Sequence, residues 1–229
     1  MKKVHILIPS LVATASMPFI SLVGCGKKPE TVTGFTFEYH NDKTAAITGY
    51  NGSDNNLKIP STVNHNGTTY TVTTIKSQAL AEGTYKTIHI PNTIVLLESK
   101  ACAYADELKS ITIDGNANLV LETQAFYNCN SLEVVTINTA VSSIGAGAFQ
   151  ACGRNKYVVL PASISEICDN AFGGNAVTDT SGPDKSPGFN FKGTKQQWKT
   201  VTRGNNWYDE ADATVIQCSD GPIELDAQE

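Results

Sequence analysis

The sequence predicts an α/β solenoid of about five 23-residue repeats, stacked so that each repeat covers the apolar face of the one before. Three observations carry this prediction. First, an apolar residue, three intervening residues and an Ala recur as Ile75…Ala79, Leu97…Ala101, Leu121…Ala125, Ile144…Ala148 and Ile167…Ala171, with the alanines 22, 24, 23 and 23 residues apart. Second, Phe follows the Ala in three units (Phe126, Phe149, Phe172), while Leu80 and Cys102 take that slot in the other two. Third, a shared pattern separates the units: Leu108-x-x-Ile111-x-Ile113 and Leu132-x-x-Val135-x-Ile137, with Tyr85-x-x-Ile88-x-Ile90 as a variant. Self-similarity at a fixed period of roughly 20–50 residues marks a repeat architecture, because one repeat cannot bury its own apolar face.

The 229-residue chain opens on basic Met1-Lys2-Lys3 and an apolar run from Val4 to Val23 interrupted by Pro9 and Pro18. Two prolines would break a spanning helix, so residues 1–24 are expected to be a secretory signal peptide. Leu22-Val23-Gly24-Cys25 resembles the bacterial lipobox. That resemblance implies that Cys25 becomes the mature N-terminus and carries a lipid with palmitate among its acyl chains. Two or three chains anchor stably, at about 0.8 kcal/mol per buried methylene. The implied place is the outer face of the bacterial cell membrane, with residues 25–33 as a polar tether. Lys2 and Lys3 leave with the signal, so 15 Lys and Arg face 22 Asp and Glu and the mature net charge is −7. No basic cluster stands out, which argues against a nucleic-acid partner. With 17% charged and 41% hydrophobic residues the composition is that of a folded chain.

Residues 34–74 are expected to form a β-rich N-terminal cap. Phe35, Phe37 and Tyr39 alternate with Thr36 and Glu38, Asn41-Asp42-Lys43 turns the chain, and Ala45, Ile47 and Gly49 alternate again. Leu57 and Ile59 start a further strand that stops at Pro60, and His65-Asn66-Gly67 reads as a hairpin turn. The Asn and Asp cluster at 51–56 lacks the spaced carboxylates of a calcium loop.

Residues 75–192 are expected to hold the repeats. In each, the last three positions of the Leu-x-x-Ile-x-Ile pattern alternate as a short strand with its aliphatics inward. Pro91, Asn138 or Pro161 then ends the strand. Ile94, Val141 and Ile164 point inward again, and Ala-Phe makes a compact corner in which the Ala must be small and the Phe fills the space between rungs. Leu132 to Cys152 resembles the BspA-like (Treponema pallidum-type) leucine-rich repeat, whose pattern is a Leu-x-x-Ile-x-Ile-Pro strand, then Val-x-x-Ile, then Ala-Phe-x-x-Cys. The resemblance covers roughly residues 57–192 and implies a leucine-rich repeat horseshoe. Asn155 in the first-Leu slot, Asp114 in place of Pro, and one extra residue after Ile113 depart from it.

Residues 193–229 are expected to form the C-terminal cap. Phe189-Asn190-Phe191 alternates like one more rung strand, Thr194 can cap a short helix from Lys195 to Val201, and Ser219-Asp220-Gly221 signals a hairpin. Trp198 and Trp207 could stack on sugars, but sealing the last rung is the favoured role.

Five cysteines remain after Cys25. Cys129 and Cys152 lie four residues after the repeat Ala, where Asn175 stands in the last unit, and the family resemblance implies an inward Asn/Cys ladder bonding a neighbouring turn. Buried free thiols are expected rather than a disulfide or a catalytic Cys. There is no His-x-x-x-His, Cys-x-x-Cys or Gly-x-Ser-x-Gly, so no catalytic residue, metal site or cofactor is expected and the chain is not expected to be an enzyme.

Function is therefore expected on the outward strand residues, which should align as one polar face: Lys86, His89, Lys109, Thr112, Glu133, Thr136 and Tyr157. Solenoids bind partners on such faces. The resemblance implies adhesion, with host or neighbouring-cell surface or matrix proteins as partners. The alternative is a structural or scaffolding lipoprotein of the cell envelope.

Overall fold

The computed structural model describes residues 32–138, 140–153, 157–175, 188–208 and 215–224. The predicted signal peptide, the lipobox with Cys25, most of the tether, and Asn155 lie outside the described residues.

The chain enters through β1 (Phe35–Tyr39) and β2 (Thr44–Tyr50), an antiparallel pair turned at Asp42, whose carboxylate accepts the Thr44 N–H at 3.0 Å and the Thr44 hydroxyl at 2.7 Å. Then come β3 (Asn56–Lys58), β4 (Thr62–His65) and β5 (Thr68–Ile75); β4 and β5 are joined at Asn66-Gly67, both at positive φ as a two-residue hairpin requires. Each following repeat contributes one four-residue and one two-residue strand. These are β6 (Thr87–Ile90) and β7 (Leu96–Leu97), β8 (Ser110–Ile113) and β9 (Val120–Leu121), β10 (Val134–Ile137) and β11 (Ser143–Ile144), and β12 (Tyr157–Leu160) and β13 (Glu166–Ile167). The chain continues as β14 (Phe189–Phe191), α1 (Lys195–Lys199), β15 (Thr202–Arg203), β16 (Val215–Cys218) and β17 (Gly221–Glu224).

The longer strands stack into one eight-stranded sheet, ordered β17-β16-β14-β12-β10-β8-β6-β3 and parallel from β3 to β16. The short strands stack on the other side of the core. β1, β2, β5, β7 and β9 run in that order, with β4 beside β5, and β11, β13 and β15 form a second group. Between the two sides lies a column of fully buried aliphatics, including Ile88, Ile111, Val135 and Val158 from the long strands and Ile75, Leu97, Leu121, Ile144 and Ile167 from the short ones. Glu98 and Glu122, just after β7 and β9, accept the backbone N–H of Ser77 and Ser99, each at 2.9 Å, so carboxylates also tie the outside of one rung to the next. The Ser77 N–H and the Lys76 ammonium at 3.1 Å hold the Glu98 carboxyl below the usual range.

Two expectations need correction. The architecture is a β-solenoid, not α/β: α1 is the only helix among the described residues. The corners do not become helical because their N–H groups donate to the following rung. Leu80 donates to the Ala101 carbonyl, Cys102 to Ala125, Phe126 to Ala148 and Phe149 to Ala171, all at 2.8 Å. A helix needs those donors for its own turn. The backbone is bent to allow this. The residue before each repeat Ala (Gln78, Lys100, Gln124, Gly147, Asn170) and the residue three after it (Glu82, Tyr104, Asn128, Ala151, Gly174) all have φ between 54° and 70°. The turns also number about six rather than five, because β3 pairs with β6 in the long sheet as a further rung.

The corner phenylalanines stack as expected. Phe126 and Phe149 lie 5.2 Å apart at 3°, and Phe149 and Phe172 lie 5.2 Å apart at 7°. The column runs on through Phe189 to Trp207. Trp198 and Trp207 are both buried, so they seal this end and offer no sugar-stacking face. The Thr194 cap has both of its reciprocal bonds to Gln197, which starts α1 as the sequence suggested.

Candidate functional site

The long sheet brings the sequence-predicted residues together on its outer side. In parallel register Asn56, Thr87, Ser110, Val134 and Tyr157 form one row, and Lys58, His89, Thr112, Thr136 and Val159 form the next. The residue preceding the first row adds a third line, since Lys109 N–H donates to the Lys86 carbonyl and Glu133 N–H to the Lys109 carbonyl. Rungs of such a sheet are about 4.8 Å apart, so side chains in a row are near neighbours. Lys86 and Lys109 are exposed, and His89, Thr112, Glu133, Thr136 and Tyr157 are half-buried.

The face changes character along the stack. From β3 to β10 it is polar apart from the half-buried Val134. On β12 and β14 the outward-register residues Val159 and Asn190 are only 8% and 6% exposed. Val159 therefore does not belong to an open face, although its register is that of Thr136.

Two features were not read from the sequence. His89 Nε2 lies 2.8 Å from Asp114 Oδ2, and Asp114 Oδ1 accepts the Asn138 amide at 3.2 Å, so a polar line crosses the rungs at the strand ends. The signal was present: Asp114 departs from the repeat at the position that follows the strand. Thr87 Oγ1 likewise donates to Asn56 Oδ1 at 3.0 Å, tying β6 to the β3 rung.

Cys102, Cys129 and Cys152 sit inside the corners, Cys168 follows β13 and Cys218 ends β16. Cys102, Cys129, Cys152 and Cys218 are buried, Cys168 is half-buried, and all five are free thiols. Cys129 Sγ donates to the Cys102 carbonyl at 3.4 Å, Cys152 Sγ to the Phe126 carbonyl at 2.9 Å, and Asn175 Nδ2 to the Phe149 carbonyl at 2.6 Å. Each slot thus bonds the preceding turn, and Asn175 Oδ1 also accepts the Cys152 N–H at 2.6 Å. Burial, helped by the neighbouring Cys129, pushes the Cys102 and Cys152 thiols well up, away from a nucleophilic thiolate. Cys168 lines an open groove of about 240 Å³ with Glu166, Asp169 and Thr202. Burial first and the Glu166 charge second raise its thiol too. A second open groove of about 430 Å³ is lined by Glu82, Gly83, Thr84, Tyr104, Asp106 and Glu107. Among the described residues no group of three or more His, Cys, Asp or Glu side chains could hold a metal ion, and no helix is long and apolar enough to cross a membrane.

A family model described as the BspA type leucine-rich repeat region matches residues 54–178 in six copies, more than half of the chain. Among solved structures, the chain resembles the leucine-rich repeat protein of Treponema pallidum, with a TM-score of 0.51 and 20% identity over 64% of this chain and 78% of that one. It also resembles the pneumococcal vaccine antigen PcpA, with a TM-score of 0.54 and 17% identity over 81% of this chain and 48% of that one. A leucine-rich cell surface protein of Faecalibacterium prausnitzii aligns at 23% identity over 93% of this chain and 60% of that one, with a TM-score of 0.48. The chain thus spans less than two thirds of the latter two proteins. At these identities the likeness is one of fold. No curated protein matches the chain.

Proposed function

This chain belongs to the BspA-type leucine-rich repeat family, and from that premise we propose that it is a non-enzymatic surface lipoprotein that binds macromolecules through the outer face of its long sheet. The observation that carries this reading is the largely polar face from β3 to β10, where Lys86 and Lys109 stand exposed over rows of Asn, Thr, Ser and His interrupted by Val134. Stacked repeats present such surfaces to extended partners. Adhesion to host or neighbouring-cell matrix proteins is the use we propose for it. In the same reading the lipid on Cys25 holds the chain at the outer face of the membrane. Residues 34–74 and 193–229 cap a horseshoe built from 75–192, with the β3 rung reaching back into the first cap.

The test is adhesion of intact cells to immobilised matrix proteins, comparing the wild-type chain with a chain carrying Lys86→Glu and Lys109→Glu. Both side chains are exposed, so the double variant is expected to keep its melting temperature and lose adhesion. Adhesion that survives the double charge reversal would place the binding surface elsewhere.

A further inference from the structure

Half-exposed aromatic rings collect at one edge of the molecule, on the strand that starts the described chain. Phe35, Phe37 and Tyr39 share one face of β1, with ring centroids 6.1 Å apart in each step. Tyr50 extends the line at 4.7 Å from Phe35, and His65 and Tyr70 extend it at 4.1 and 4.8 Å from Tyr39. The five Phe and Tyr rings pack against the core on one side but are only partly buried. This contrasts with the far end of the stack, where Trp198, Trp207 and Tyr208 are fully covered.

The same strand is an open edge. β1 ends its sheet and pairs only with β2 among the described residues. The Gly34 carbonyl accepts from Asn51 N–H and the His40 N–H donates to Thr44, so even-numbered backbone groups face β2. Those of Phe35, Phe37 and Tyr39 therefore face outward, because a strand alternates its hydrogen-bonding sides.

Open edges are normally guarded by prolines, charges or shortness, and three of the other edges here are. β17 contains Pro222 and Glu224, β3 is three residues long with Lys58 in it and Pro60 after it, and β15 is two residues long and ends in Arg203. β1 has five residues, no proline and no basic residue. Its one charge, Glu38, sits 3.9 Å from the Lys76 ammonium.

We infer that β1 is an interface strand that pairs antiparallel with β1 of a second copy of this chain, centred on Phe37. The segment is self-complementary in that register. Phe35 comes opposite the second copy's Tyr39, the two Phe37 rings meet on the axis, and Thr36 comes opposite Glu38. Aromatic pairs across antiparallel strands are among the favourable ones, and a two-fold contact of one patch with itself closes as a dimer. The outward N–H and C=O groups are satisfied and the exposed rings are covered. β1 lies outside the long sheet, so this pairing is independent of whatever the polar face binds.

The test places the photo-reactive residue p-benzoylphenylalanine at Phe37 of the whole chain, in cells that make it, with the same probe at Val120 as control. Val120 on β9 is 52% exposed and remote from the edge. Irradiation is expected to give an adduct of twice the chain mass from position 37 and none from 120, with the cross-linked peptides both coming from β1. Adducts to lipid, which would mean that the rings rest on a bilayer, or to another protein would overturn the inference, as would no adduct. With the probe moved to Tyr39, Phe37→Pro removes one outward N–H and is expected to abolish the dimer adduct without abolishing the melting transition. An undiminished adduct from that variant would equally overturn the pairing.

Discussion

At the corners of Ala79 and Ala101 the next residue is Leu80 or Cys102, whereas at Ala125, Ala148 and Ala171 it is Phe. The ladder position four residues after the Ala differs in step: Gly83 and Ala105 early, Cys129, Cys152 and Asn175 late. The late corners fill their volume with three stacked rings and satisfy each buried carbonyl with a Cys or Asn from the next turn. The first corner meets the same two needs with a single residue, while the second, at Cys102, already takes its donor from Cys129. Tyr85 occupies the slot held by Leu108 and Leu132 elsewhere and is 2% exposed, and its hydroxyl donates to the Leu80 carbonyl at 2.7 Å. Leu80 is the counterpart of Cys102, Phe126 and Phe149, whose carbonyls are the ones taken by Cys129, Cys152 and Asn175. The Tyr85 ring also explains Gly83, because a Cβ there would fall inside it. What recurs in this solenoid is thus a volume and an unsatisfied carbonyl at each corner, and the side chain that serves them can come from either of two places.

The comparison can be broken most severely in the late half. Phe149 is fully buried between two parallel rings, so Phe149→Ala leaves a cavity that neither neighbour can close and is expected to cost about 3–5 kcal/mol by urea unfolding. Cys102→Ala, at the matching early position, removes one methylene-sized group and is expected to cost about 1 kcal/mol. Equal losses at the two sites would mean that the ring stack contributes nothing beyond what a small side chain does.

A smaller effect isolates the early solution. Tyr85→Phe keeps the ring and deletes the donor, leaving the Leu80 carbonyl buried without it. The expected loss is about 1–3 kcal/mol, the usual cost of an unsatisfied buried group. A loss below about 0.5 kcal/mol would show that the carbonyl finds another partner, and the equivalence between Tyr85 and the late ladder residues would fail.

The sequence carried the period, the long strands and the Phe column, because each is a pattern of side-chain type at fixed spacing, and the inward placement of Cys129 and Cys152 came from the family resemblance. It did not carry what the backbone does between those positions. Gln78, Lys100 and Gln124 are ordinary residues for positive φ only because cross-rung hydrogen bonds demand that conformation, and a local propensity does not register such a demand. The helical part of the α/β expectation failed for the same reason. β3 falls in the expected cap because the β4–β5 hairpin separates it from its corner at Ala79, although Leu57 pairs in register with Ile88 and Ile75 with Leu97. Of the candidate site, the alignment of the rows was legible from period-2 alternation. The His89–Asp114 contact was not, since it joins residues 25 apart through the registry of two rungs.

Acid–base behaviour sharpens the comparison further. Burial holds the Cys102 thiol of the early half and the Cys152 thiol of the late half well above the usual range, and it holds the Tyr85 phenol up as well. All three groups stay protonated in the folded chain at pH values where the unfolded chain ionises. Their contribution is therefore complete below about pH 8.5, where an unfolded thiol titrates, and is lost as pH rises above it, at about 1.4 kcal/mol per pH unit for each thiol. Tyr85 adds its share only above about pH 10. Urea midpoints measured from about pH 7 to about pH 9.5 are expected to fall less steeply in Cys102→Ala than in the wild-type chain. Identical slopes would mean that the Cys102 thiol is not the buried neutral group that fills the early corner.

The mildest test concerns the corner backbone that both halves share. Position three after the Ala is Glu82, Tyr104, Asn128 and Ala151 in the first four corners but Gly174 in the last, and all five have positive φ. A Cβ in that region crowds the following carbonyl and costs roughly 1–2 kcal/mol, whereas Gly pays only its extra unfolded entropy, roughly 0.5–1 kcal/mol. Ala151→Gly makes the fourth corner chemically like the fifth, and the Ala151 N–H keeps its bond to the Gly173 carbonyl at 2.9 Å. The two terms leave a net gain of about 0–1.5 kcal/mol, visible as an unchanged or slightly raised melting temperature. The same change in a strand or a right-handed turn lowers stability, so the sign is diagnostic. A fall of more than about 1 kcal/mol would mean that the Ala151 methyl packs against its neighbours more than its backbone strains, and the corners would then be held by side chains rather than by the bonds between rungs.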